Sequence, residues 1–467
     1  MFKSKSKKDK TKEIITVRDV IQVDREILDN ISSLIEIKAE KSLLNIFADL
    51  HTADIAEIIN RLDTEDAKYA FSILNTEDAS EVLLELDENI REKILKDITP
   101  DKISDIVDEL ETDDATDIVS ELPEHVADHV LKTMDKEDSI EVKELLKYPE
   151  DSAGGIMSSD YVYVLNSATV KDAIKEIRKH ADEYEHIYYV YVLTSEDKLI
   201  GVTSIKSLLI NEPSKKVTSI MDEDLIYVTP EVDQEEVAQI MEKYDLVSIP
   251  VVDSDKVMLG RITIDDVVDV IHEEASEDMQ RIAGLSEEQE QSDSFFRISR
   301  IRLPWLFVGL FGELMNALLL SNYQDMLIKF VIATFFFPVI MAVGGSSGTQ
   351  AAIVMVRGFS TGDLWISESL KKLAKEFFVA LLNGLVLSIV LFGITYYFFS
   401  DQLNFIIILS LSFTVVIVFA TMIGAIIPIV LKKFGADPAI ATGPFVTTLN
   451  DIIGLSVYLT FITIFVA

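Results

Sequence analysis

The sequence predicts a multidomain membrane protein with four parts: an all-α N-terminal solenoid, a duplicated α/β unit, a connecting, plug-like helix and a five-helix all-α transmembrane domain. Three observations support this prediction. An apolar residue recurs every 12 positions between Leu50 and Leu146, two stretches within 151–275 repeat each other, and five long apolar stretches follow residue 300. We place a basic tail at 1–19, the acidic helical N-terminal domain at 20–150 and the two copies of the duplicated unit at 151–211 and 212–275. The connecting helix follows at 269–300 and the transmembrane domain at 301–467.

Charge divides the chain into an acidic part and an apolar part. Residues 297–467 contain 10 Lys and Arg against 8 Asp and Glu, residues 1–296 contain 32 against 71, and 13 of 18 glycines lie beyond residue 300. An acidic surface repels nucleic acid and attracts cations, so we expect a metal ion and no nucleic acid as partner. The absence of cysteine excludes disulfides, thiolate zinc sites and iron–sulfur clusters. The basic residues 1–19 lack an apolar core, which predicts a disordered tail rather than a signal peptide.

Each 12-residue repeat is typical of a short helix with its own cap. The phrases DTEDA, NTEDA and ETDDA make Thr64, Thr76 and Thr112 the predicted N-caps, with acids behind them at the positive end of the helix dipole. Short helices that cannot bury their own faces must stack, which predicts a helical solenoid over 20–150. His125 and His129 have the i, i+4 spacing of a metal pair, but without a third ligand in reach a plain surface pair is the better interpretation.

Residues 151–275 contain short strands and an internal duplication. Met157–Val164 matches Met221–Val228 at an offset of 64, and LIGVTSIKSLL (199–209) matches MLGRITIDDVV (258–268) at an offset of 59. A β-α-β-β-α unit repeated in tandem resembles a CBS-domain pair, and a single α/β domain of another kind does not explain the duplication. The resemblance implies a regulatory domain that dimerises side by side and binds ions or adenine nucleotides such as ATP.

The polar residues 269–296 predict an acidic helical link into the membrane part. Five stretches beyond it can each cross a bilayer core of ~30 Å. They are 303–320, 326–356, 377–399, 403–431 and 439–467. Basic residues lie only in alternate connections. They are Arg297, Arg300 and Arg302 before the first stretch, Arg357, Lys371, Lys372 and Lys375 between the second and third, and Lys432 and Lys433 between the fourth and fifth. The other connections, 321–325 and 400–404, contain none. Because basic loops stay cytoplasmic, we expect a multi-pass protein of the cell membrane with a cytoplasmic N-terminus and an extracytoplasmic C-terminus.

Two aspartates of the fifth stretch are the candidate site residues. Thr447, Asp451 and Gly454 follow i, i+4, i+7 and share one helix face, whereas Asp437 lies before an expected break at Gly443–Pro444. A charge in hydrocarbon costs about 2.5–3.5 kcal/mol on insertion scales, and no Lys or Arg lies between the two aspartates. Intramembrane carboxylates usually line a water-filled path, so a cation is the expected missing charge.

A second small-residue segment, PVIMAVGGSSGTQ (338–350), lies in the second apolar stretch and is predicted to be broken. Gly345 and Gly348 within it let another backbone approach closely. Tight helix packing explains many such glycines, but it does not explain Asp451.

Taken together, these features resemble the MgtE family of magnesium channels and transporters. The phrases PEDSAGGIM (149–157), GGSSGTQ (344–350) and DPAIATGPFVTTLND (437–451) stand where that family has its signatures. The likeness covers nearly the whole chain. One departure is Ser346, where the family usually has Asn, and this leaves the fine selectivity open.

The resemblance implies a homodimer that takes up Mg²⁺ through a pore lined by the second and fifth spans. It implies a selective pore site at Asp451 with backbone from around Thr447, Gly345, Gly348 and Gly454, and a second pore acid at Asp437. It also implies regulatory Mg²⁺ among acids of the N-domain, the CBS pair and the connecting helix, and binding of this Mg²⁺ closes the pore when cytoplasmic Mg²⁺ is plentiful. The corresponding residues here are Asp233, Glu235, Asp245, Asp266, Asp269, Glu274, Glu277 and Asp278.

The chemistry of the residues agrees with this interpretation. Mg²⁺ prefers oxygen ligands and gives up water reluctantly, and the apolar stretches contain neither His nor Cys, which disfavours Zn²⁺, Cu and Ni²⁺ as cargo. Mn²⁺ or Co²⁺ under CBS control stays the alternative. The carboxylates disfavour an anion conductor, and the lack of H-E-x-x-H, G-x-G-D or D-x-x-D-G motifs disfavours an enzyme. Glu313 and Asn316 of the first stretch fit either the ion path or helix packing equally well.

Overall fold

The computed structural model describes residues 23, 25–181, 184, 186–285, 295–362, 364–366, 369–441 and 443–466. The chain forms two compact units, Met1–Leu146 and Lys147–Ala467. The predicted tail, 1–19, lies outside the described residues. The first unit is entirely helical where described, and the second contains a duplicated α/β part followed by long apolar helices.

Ten short helices make up the described part of the first unit. They are α1 Arg25–Glu36, α2 Glu40–Phe47, α3 Thr52–Arg61, α4 Thr64–Ser72, α5 Thr76–Leu84, α6 Glu88–Asp97, α7 Pro100–Val107, α8 Thr112–Ser120, α9 Glu124–Thr133 and α10 Lys136–Leu145. From α3 onward one helix occupies each 12-residue repeat, and the recurring apolar residue stands just before or within the turn to the next helix. Alternate helices contact one another, α3 with α5, α5 with α7 and α7 with α9, which confirms the predicted stacking.

The predicted caps are wrong by one residue. Thr64, Thr76 and Thr112 are the first helical residues, and the N-caps are Asp63, Asn75 and Glu111. Asn75 has an extended backbone with ψ 172°, and its side chain accepts a hydrogen bond from Asp78 N. The residue before each Thr is also polar, so composition alone does not distinguish the cap from the first helical position.

Strands β1 Tyr163–Leu165, β2 Tyr189–Leu193 and β3 Leu199–Ser204, with α11 Val170–Lys179 and α12 Ile205–Ile210, form the first α/β copy. The second copy contains α13 Gln234–Lys243, β4 Ser248–Val252, β5 Met258–Thr263 and α14 Ile264–Ala283. Its first strand is reduced to one parallel bridge, Val228 to Val251.

The duplication holds at the level of strand register. In the first copy, Val192 pairs with Val164 in parallel and with Gly201 in antiparallel, and the β2–β3 register shifts just after Val192. In the second copy, Val251 pairs with Val228 and Gly260 in the same senses, with the same shift. These pairs are related by the offsets of 64 and 59 that the sequence showed.

The two copies also exchange equivalent contacts. A Cβ at Gly201 would lie 2.6 Å from the sulfur of Met221, and a Cβ at Gly260 would lie 3.1 Å from Met157 Cγ. Each glycine therefore makes room for the methionine that opens the other copy. This reciprocal contact joins the pair into one α/β domain.

The link to the membrane part differs from the prediction of one helix over 269–300. Helix α14 already begins at Ile264 as the last helix of the second copy and ends at Ala283. Gly284 follows with φ +80°, the left-handed conformation that ends helices and that glycine adopts without strain. Residues 286–294 of the predicted link lie outside the described residues, and the next helix starts at Phe295.

Long apolar helices form the rest of the second unit. They are α15 Phe295–Asn322, α16 Gln324–Lys329 (short), α17 Phe337–Ser360, α18 Ser369–Phe399, α19 Leu403–Lys433 and α20 Pro444–Phe465. Within the described residues, four helical stretches are long and apolar enough to cross a membrane: Phe295–Asn322, Val331–Ser360, Ser369–Lys433 and Pro444–Phe465. The third has 65 residues and consists of α18 and α19, separated by a 3-10 turn at Ser400–Gln402.

The second apolar stretch begins later than predicted and is not broken. Helix α17 runs without interruption through the glycine-rich segment, and the residues before it form α16 and a 3-10 turn at Val331–Phe336. Lys329 therefore lies in the connection between α15 and α17, which was expected to hold no basic residue. The expected break at Gly443–Pro444 is confirmed, because a 3-10 turn at Pro438–Ala441 precedes α20 and Gly443 is its N-cap.

Helix α19 packs against α17, α18 and α20, and α15 packs against α20. Ile340, Leu409, Val416 and Leu459 are among the fully buried side chains of this core. Where α17 crosses α19, a Cβ at Gly424 would lie 2.1 Å from Gly348 O. Glycine at this crossing lets the two backbones touch, as small residues do between membrane helices.

Candidate functional site

A groove of about 770 Å³ runs along α17 and α20. Its lining combines small, hydroxyl and amide side chains with one carboxylate. The lining residues are Phe337, Pro338, Met341, Ala342, Gly345, Ser346, Thr349, Gln350, Thr447 and Asp451. Ser346, which stands in place of the family's usual Asn, is therefore part of the groove.

Asp451 lies one helical turn after Thr447 and is 7% exposed. Its Oδ1 has no hydrogen-bond partner among the described residues, and a Cβ at Gly345 would lie 3.9 Å from it. The Thr447 hydroxyl lies 3.5 Å from the hydroxyl of Thr349 across the groove. A carboxylate oxygen without a partner, beside a glycine and two hydroxyls, is a suitable ligand for a hard cation.

Gly348 and Gly454 do not line this groove. A Cβ at Gly348 would lie 1.8 Å from Asn450 Nδ2, and a Cβ at Gly454 would lie 3.3 Å from Val416 Cγ1. Both glycines allow helices to approach each other behind the groove. Their assignment to the ion site stays a prediction.

Asp437 has a basic partner, contrary to the expectation from the sequence. Arg281 of α14 forms an ion pair with the carboxylate of Asp437 and another with Glu277 of its own helix. Asp437 Oδ1 also accepts a hydrogen bond of 2.7 Å from Ala439 N. The carboxylate is therefore held at the turn before α20 rather than within the groove.

An acidic cavity of about 690 Å³ lies where α13 and α14 meet the ends of α17 and α19. Five of the eight predicted regulatory acids line it, together with acids, bases and amides that the sequence did not assign to a regulatory site. The predicted ones are Asp233, Glu235, Glu274, Glu277 and Asp278, and the additional charged ones are Asp151, Glu273, Arg281, Lys432 and Asp437.

Side-chain hydrogen bonds connect the cavity walls. Gln234 Nε2 donates to Glu274 Oε1 at 2.8 Å, and Ser360 Oγ of α17 donates to Asp278 Oδ2 at 2.7 Å. Gln239 Nε2 of α13 donates to Ser360 O at 2.8 Å. The last residue of α17 thus contacts both a CBS helix and α14, so movement of either can reach the groove helix.

Burial and neighbouring carboxylates raise the pKa values of acids in this cavity. Burial raises the pKa of Glu235 to about 7, and Glu274, Asp278 and Asp233 add to the rise while Lys432 opposes it. Burial also raises the pKa of Glu277, against the effect of Arg281. In both cases burial and neighbouring carboxylates disfavour the charged form more than the nearby base favours it, and a bound cation would oppose this effect.

Asp245, Asp266 and Asp269 lie outside this cavity. Asp266 is a helix-capping residue: its Oδ2 accepts from Thr263 N at 3.1 Å and from Thr263 Oγ1 at 2.7 Å. Burial raises the pKa of Asp269, and His272 opposes the rise. Their assignment as metal ligands stays a prediction.

The acids share a cavity without forming a closed chelate. Within the described residues, no three His, Cys, Asp or Glu side chains stand close enough to hold a metal ion directly. A cation here would therefore be bound partly through its water shell, as Mg²⁺ commonly is. His129 pairs with Asp101 at 2.9 Å, and this agrees with the interpretation of His125 and His129 as surface residues.

The sequence offered a signal for some of the residues that were missed. Asp151 lies in the PEDSAGGIM phrase, and Arg281 follows Glu277 and Asp278 by four and three positions on one helix face. In the sequence, Lys432 indicates only the orientation of the apolar stretches in the membrane. Its approach to Glu235 depends on the fold and has no signal in the sequence.

The two CBS copies offer unequal clefts. One cleft of about 320 Å³ is lined by polar side chains that include Ser204, Ser207 and Asp222. The equivalent place near His186 has about 10 Å³ of space, because Arg261 fills it and donates a hydrogen bond to Asp160 O at 2.6 Å.

Comparison with known proteins identifies the family. The divalent cation transporter domain of MgtE matches residues 337–461, the MgtE intracellular N domain matches 50–151, and CBS domains match 153–211 and 217–273. The magnesium transporter MgtE of Bacillus subtilis is 36% identical over 337 residues, which are 72% of this chain and 74% of that protein. The chain belongs to the MgtE family. MgtE of Thermus thermophilus is 33% identical over 330 residues, 70% of this chain and 72% of that protein.

A solved structure supports the same assignment for the part that precedes the membrane helices. The cytosolic domain of the Mg²⁺ channel MgtE, solved in complex with ATP, is 31% identical and covers 52% of this chain and 99% of that chain, with a TM-score of 0.50. The helical N-terminal domain and the CBS pair are therefore those of an MgtE protein.

Proposed function

We propose that this MgtE protein transports Mg²⁺ into the cell as a homodimer with five membrane spans per protomer. The fifth span follows from counting α18 and α19 separately, since each has 31 residues and either alone exceeds the thickness of a bilayer core. With the basic ends of the helices in the cytoplasm, both acidic domains lie on the cytoplasmic side.

The position of Asp451 is the observation on which this proposal depends. A carboxylate inside a membrane helix, facing a groove and lacking a partner for one oxygen, requires a cation or a polar path. No imidazole or thiolate lines the groove, and its other ligands are hydroxyls, amides and backbone. This oxygen set suits Mg²⁺ with part of its water shell.

A second protomer completes the ion path in this proposal. One chain supplies α17 and α20 as a single wall, and the groove is open along its length. Two copies facing each other would place two Asp451 carboxylates around one path. A hydrated dication would then meet a charge of equal size from the pair.

Cytoplasmic Mg²⁺ closes the pore by binding in the acidic cavity. The carboxylates of Glu235, Glu274, Glu277 and Asp278 would bind it, and they repel one another when it leaves. Binding therefore favours the compact arrangement over a separated one. Ser360 and Arg281 connect the cavity to α17 and to the turn before α20, so the change of arrangement moves both of these elements.

Flux into liposomes tests the proposal. Purified full-length protein in vesicles that contain a Mg²⁺-sensitive dye should admit Mg²⁺, and empty vesicles and the Asp451→Asn variant should not. Adding Mn²⁺ or Co²⁺ in place of Mg²⁺ tests the alternative cargo. A wild-type protein that passes Mn²⁺ or Co²⁺ but not Mg²⁺ would overturn the assignment of the ion.

ATP at the CBS pair is a further part of the proposal. The similar cytosolic domain was solved with ATP, and the cleft of about 320 Å³ beside Ser204 and Ser207 is large enough for an adenine nucleoside. Titration calorimetry of the full chain with ATP, with and without Mg²⁺, tests it. Absence of heat in both conditions would contradict binding.

A further inference from the structure

A polar cluster lies where α15 passes α20, outside the groove lining. Glu313 and Asn316 come from α15, and Asp451 comes from α20. Glu313 stands beside Asp451, and the two carboxyl side chains interact. Membrane-spanning helices seldom bring two acids together without a function for them.

Close packing of α15 against α20 brings Glu313 next to Asp451. A Cβ at Gly312 would lie 1.7 Å from Thr448 Cγ2, so α15 touches α20 one residue before Glu313. Asp451 follows Thr447 by four residues and Thr448 by three. Its carboxylate can therefore reach both the groove, beside Thr447, and α15, beside Thr448.

Two polar atoms of the cluster have no partner. Asn316 is 3% exposed and donates to Glu313 Oε2 at 3.3 Å, but its own Oδ1 accepts nothing within the described part of the chain. Asp451 Oδ1 likewise has no partner there. A buried polar atom without a partner is unfavourable. Unpaired oxygens on α15 and α20, within a pair of acids, indicate a ligand.

The charge of the cluster indicates the kind of ligand. Glu313 is exposed on the surface of the single chain, and a carboxylate is strongly disfavoured in contact with hydrocarbon. The sequence has no Lys or Arg in 303–328, 330–356 or 434–467, so the neighbouring stretches of α15, α17 and α20 offer no basic partner. Two adjacent carboxylates repel each other, and the repulsion is stronger where water is scarce. A cation between them removes that repulsion.

We propose that Glu313 is a second carboxylate of the permeation site, acting with Asp451 on a hydrated divalent cation, with Asn316 positioning Glu313 through its amide. This inference rests on the proposed transport function. It gives each protomer two acids at the ion path instead of one. It also assigns α15, besides α17 and α20, to the wall of that path.

The lack of cysteine in this chain makes a direct test available. Glu313→Cys is expected to lower Mg²⁺ flux into liposomes at least tenfold. Modification with a sulfonate-bearing methanethiosulfonate returns a negative charge and should restore a large part of the flux, whereas a trimethylammonium-bearing reagent should not. Mg²⁺ should slow both modifications in the detergent-solubilised protein, which is a readout independent of flux.

Glu376→Cys is the matched control. Glu376 is also an acid on an apolar helix, but it pairs with Lys372 within α18. Its thiol should show no protection by Mg²⁺, and charge restoration should not change its flux. If Glu313→Cys does not yield a monodisperse protein, the isosteric Glu313→Gln replaces it, and Mg²⁺ should then stabilise that variant against heat only at about tenfold higher concentration.

The outcomes separate this inference from the transport function. Wild-type flux in Glu313→Cys, or a thiol that Mg²⁺ never protects, would overturn the role of Glu313 while the loss of flux in Asp451→Asn keeps the proposed function intact. Absence of Mg²⁺ flux in the wild-type protein would instead overturn the proposed function itself.

Discussion

The groove and the acidic cavity both collect carboxylates, but they balance the charge differently. Among the described residues around Asp451, the membrane helices provide few acids, no bases and several unpaired oxygens. Around Glu235 the acidic cavity provides many acids, and Arg281 and Lys432 lie among them. In the proposed mechanism an ion passes through the first site, whereas the second site binds and releases one.

The difference follows from the surroundings of each site. In the membrane the cost of an unpaired charge is high, so few carboxylates can be kept and each must be used. Outside the membrane-spanning helices water screens the acids, so many weak repulsions can add up and then be cancelled by bound cations. We therefore expect single substitutions to abolish function in the groove and only to adjust it in the cavity.

Asp451→Ala should abolish transport through the groove. Without its carboxylate the path loses the charge that compensates for dehydration of the ion, so we expect Mg²⁺ flux to fall at least 100-fold. Size-exclusion chromatography should show the assembly of the wild-type protein. Near-normal flux in this variant would remove Asp451 from the site.

Gly424→Ala tests whether the groove depends on close helix packing. Its Cβ would lie 2.1 Å from Gly348 O, a backbone atom that cannot rotate away, so we expect a loss of stability of about 1–3 kcal/mol. Thermal unfolding in detergent would measure this loss. Gly393→Ala is the control, because its Cβ would meet nothing within 4 Å of it in the described structure. Equal melting temperatures for the two variants would contradict the packing account.

Replacing Glu274, Glu277 and Asp278 by Gln, Gln and Asn should change only the closure that depends on the acidic cavity. The substitutions lower repulsion and remove cation ligands, but only the second effect depends on Mg²⁺. We expect closure to need about tenfold more cytoplasmic Mg²⁺, equivalent to ~1.4 kcal/mol, with permeation retained. Patch recordings at graded internal Mg²⁺ would measure this.

The control for that variant removes three exposed acids of the CBS pair outside the cavity, by Glu212→Gln, Glu223→Gln and Asp255→Asn. Their loss changes the net charge by the same amount. An equal shift in both variants would mean that Mg²⁺ responds to overall charge and not to the cavity.

The smallest expected effect concerns the CBS clefts. Because Arg261 fills one of the two, we expect about one ATP per chain. Ser207→Trp should block the open cleft and abolish the heat of binding without altering basal flux. Ser219→Trp, at an exposed serine outside the cleft, should bind as the wild-type protein does. Two ATP molecules per chain would show that Arg261 moves aside.

Repetition made much of the fold predictable from the sequence. The 12-residue period located the helices of the first unit, and the offsets of 64 and 59 reproduced the pairing of Val192 and Val251 down to the shift in register. The second span was less predictable, since FVIATFFF is as apolar as a membrane helix but forms a 3-10 turn. Composition does not distinguish the two.

The contacts of the site were the least predictable part. Arg281 and Asp437 are 156 residues apart, and nothing in the sequence pairs them. Glu313 and Asn316 were recognised as unusual, but their partner on α20 depends on how Gly312 meets Thr448. Such contacts arise from tertiary packing, which local patterns do not encode.

The spacing of contacts along the chain also sets an order of assembly during synthesis. Helices of the first unit touch neighbours only a few tens of residues away, so this part can complete its core soon after leaving the ribosome. The meeting of Glu313 with Asp451 joins α15 to α20, the last of the described helices. If α15, α17 and α20 form the proposed ion path, an unfinished chain has both acidic domains in place before that path exists, and cannot leak cations while it is being made.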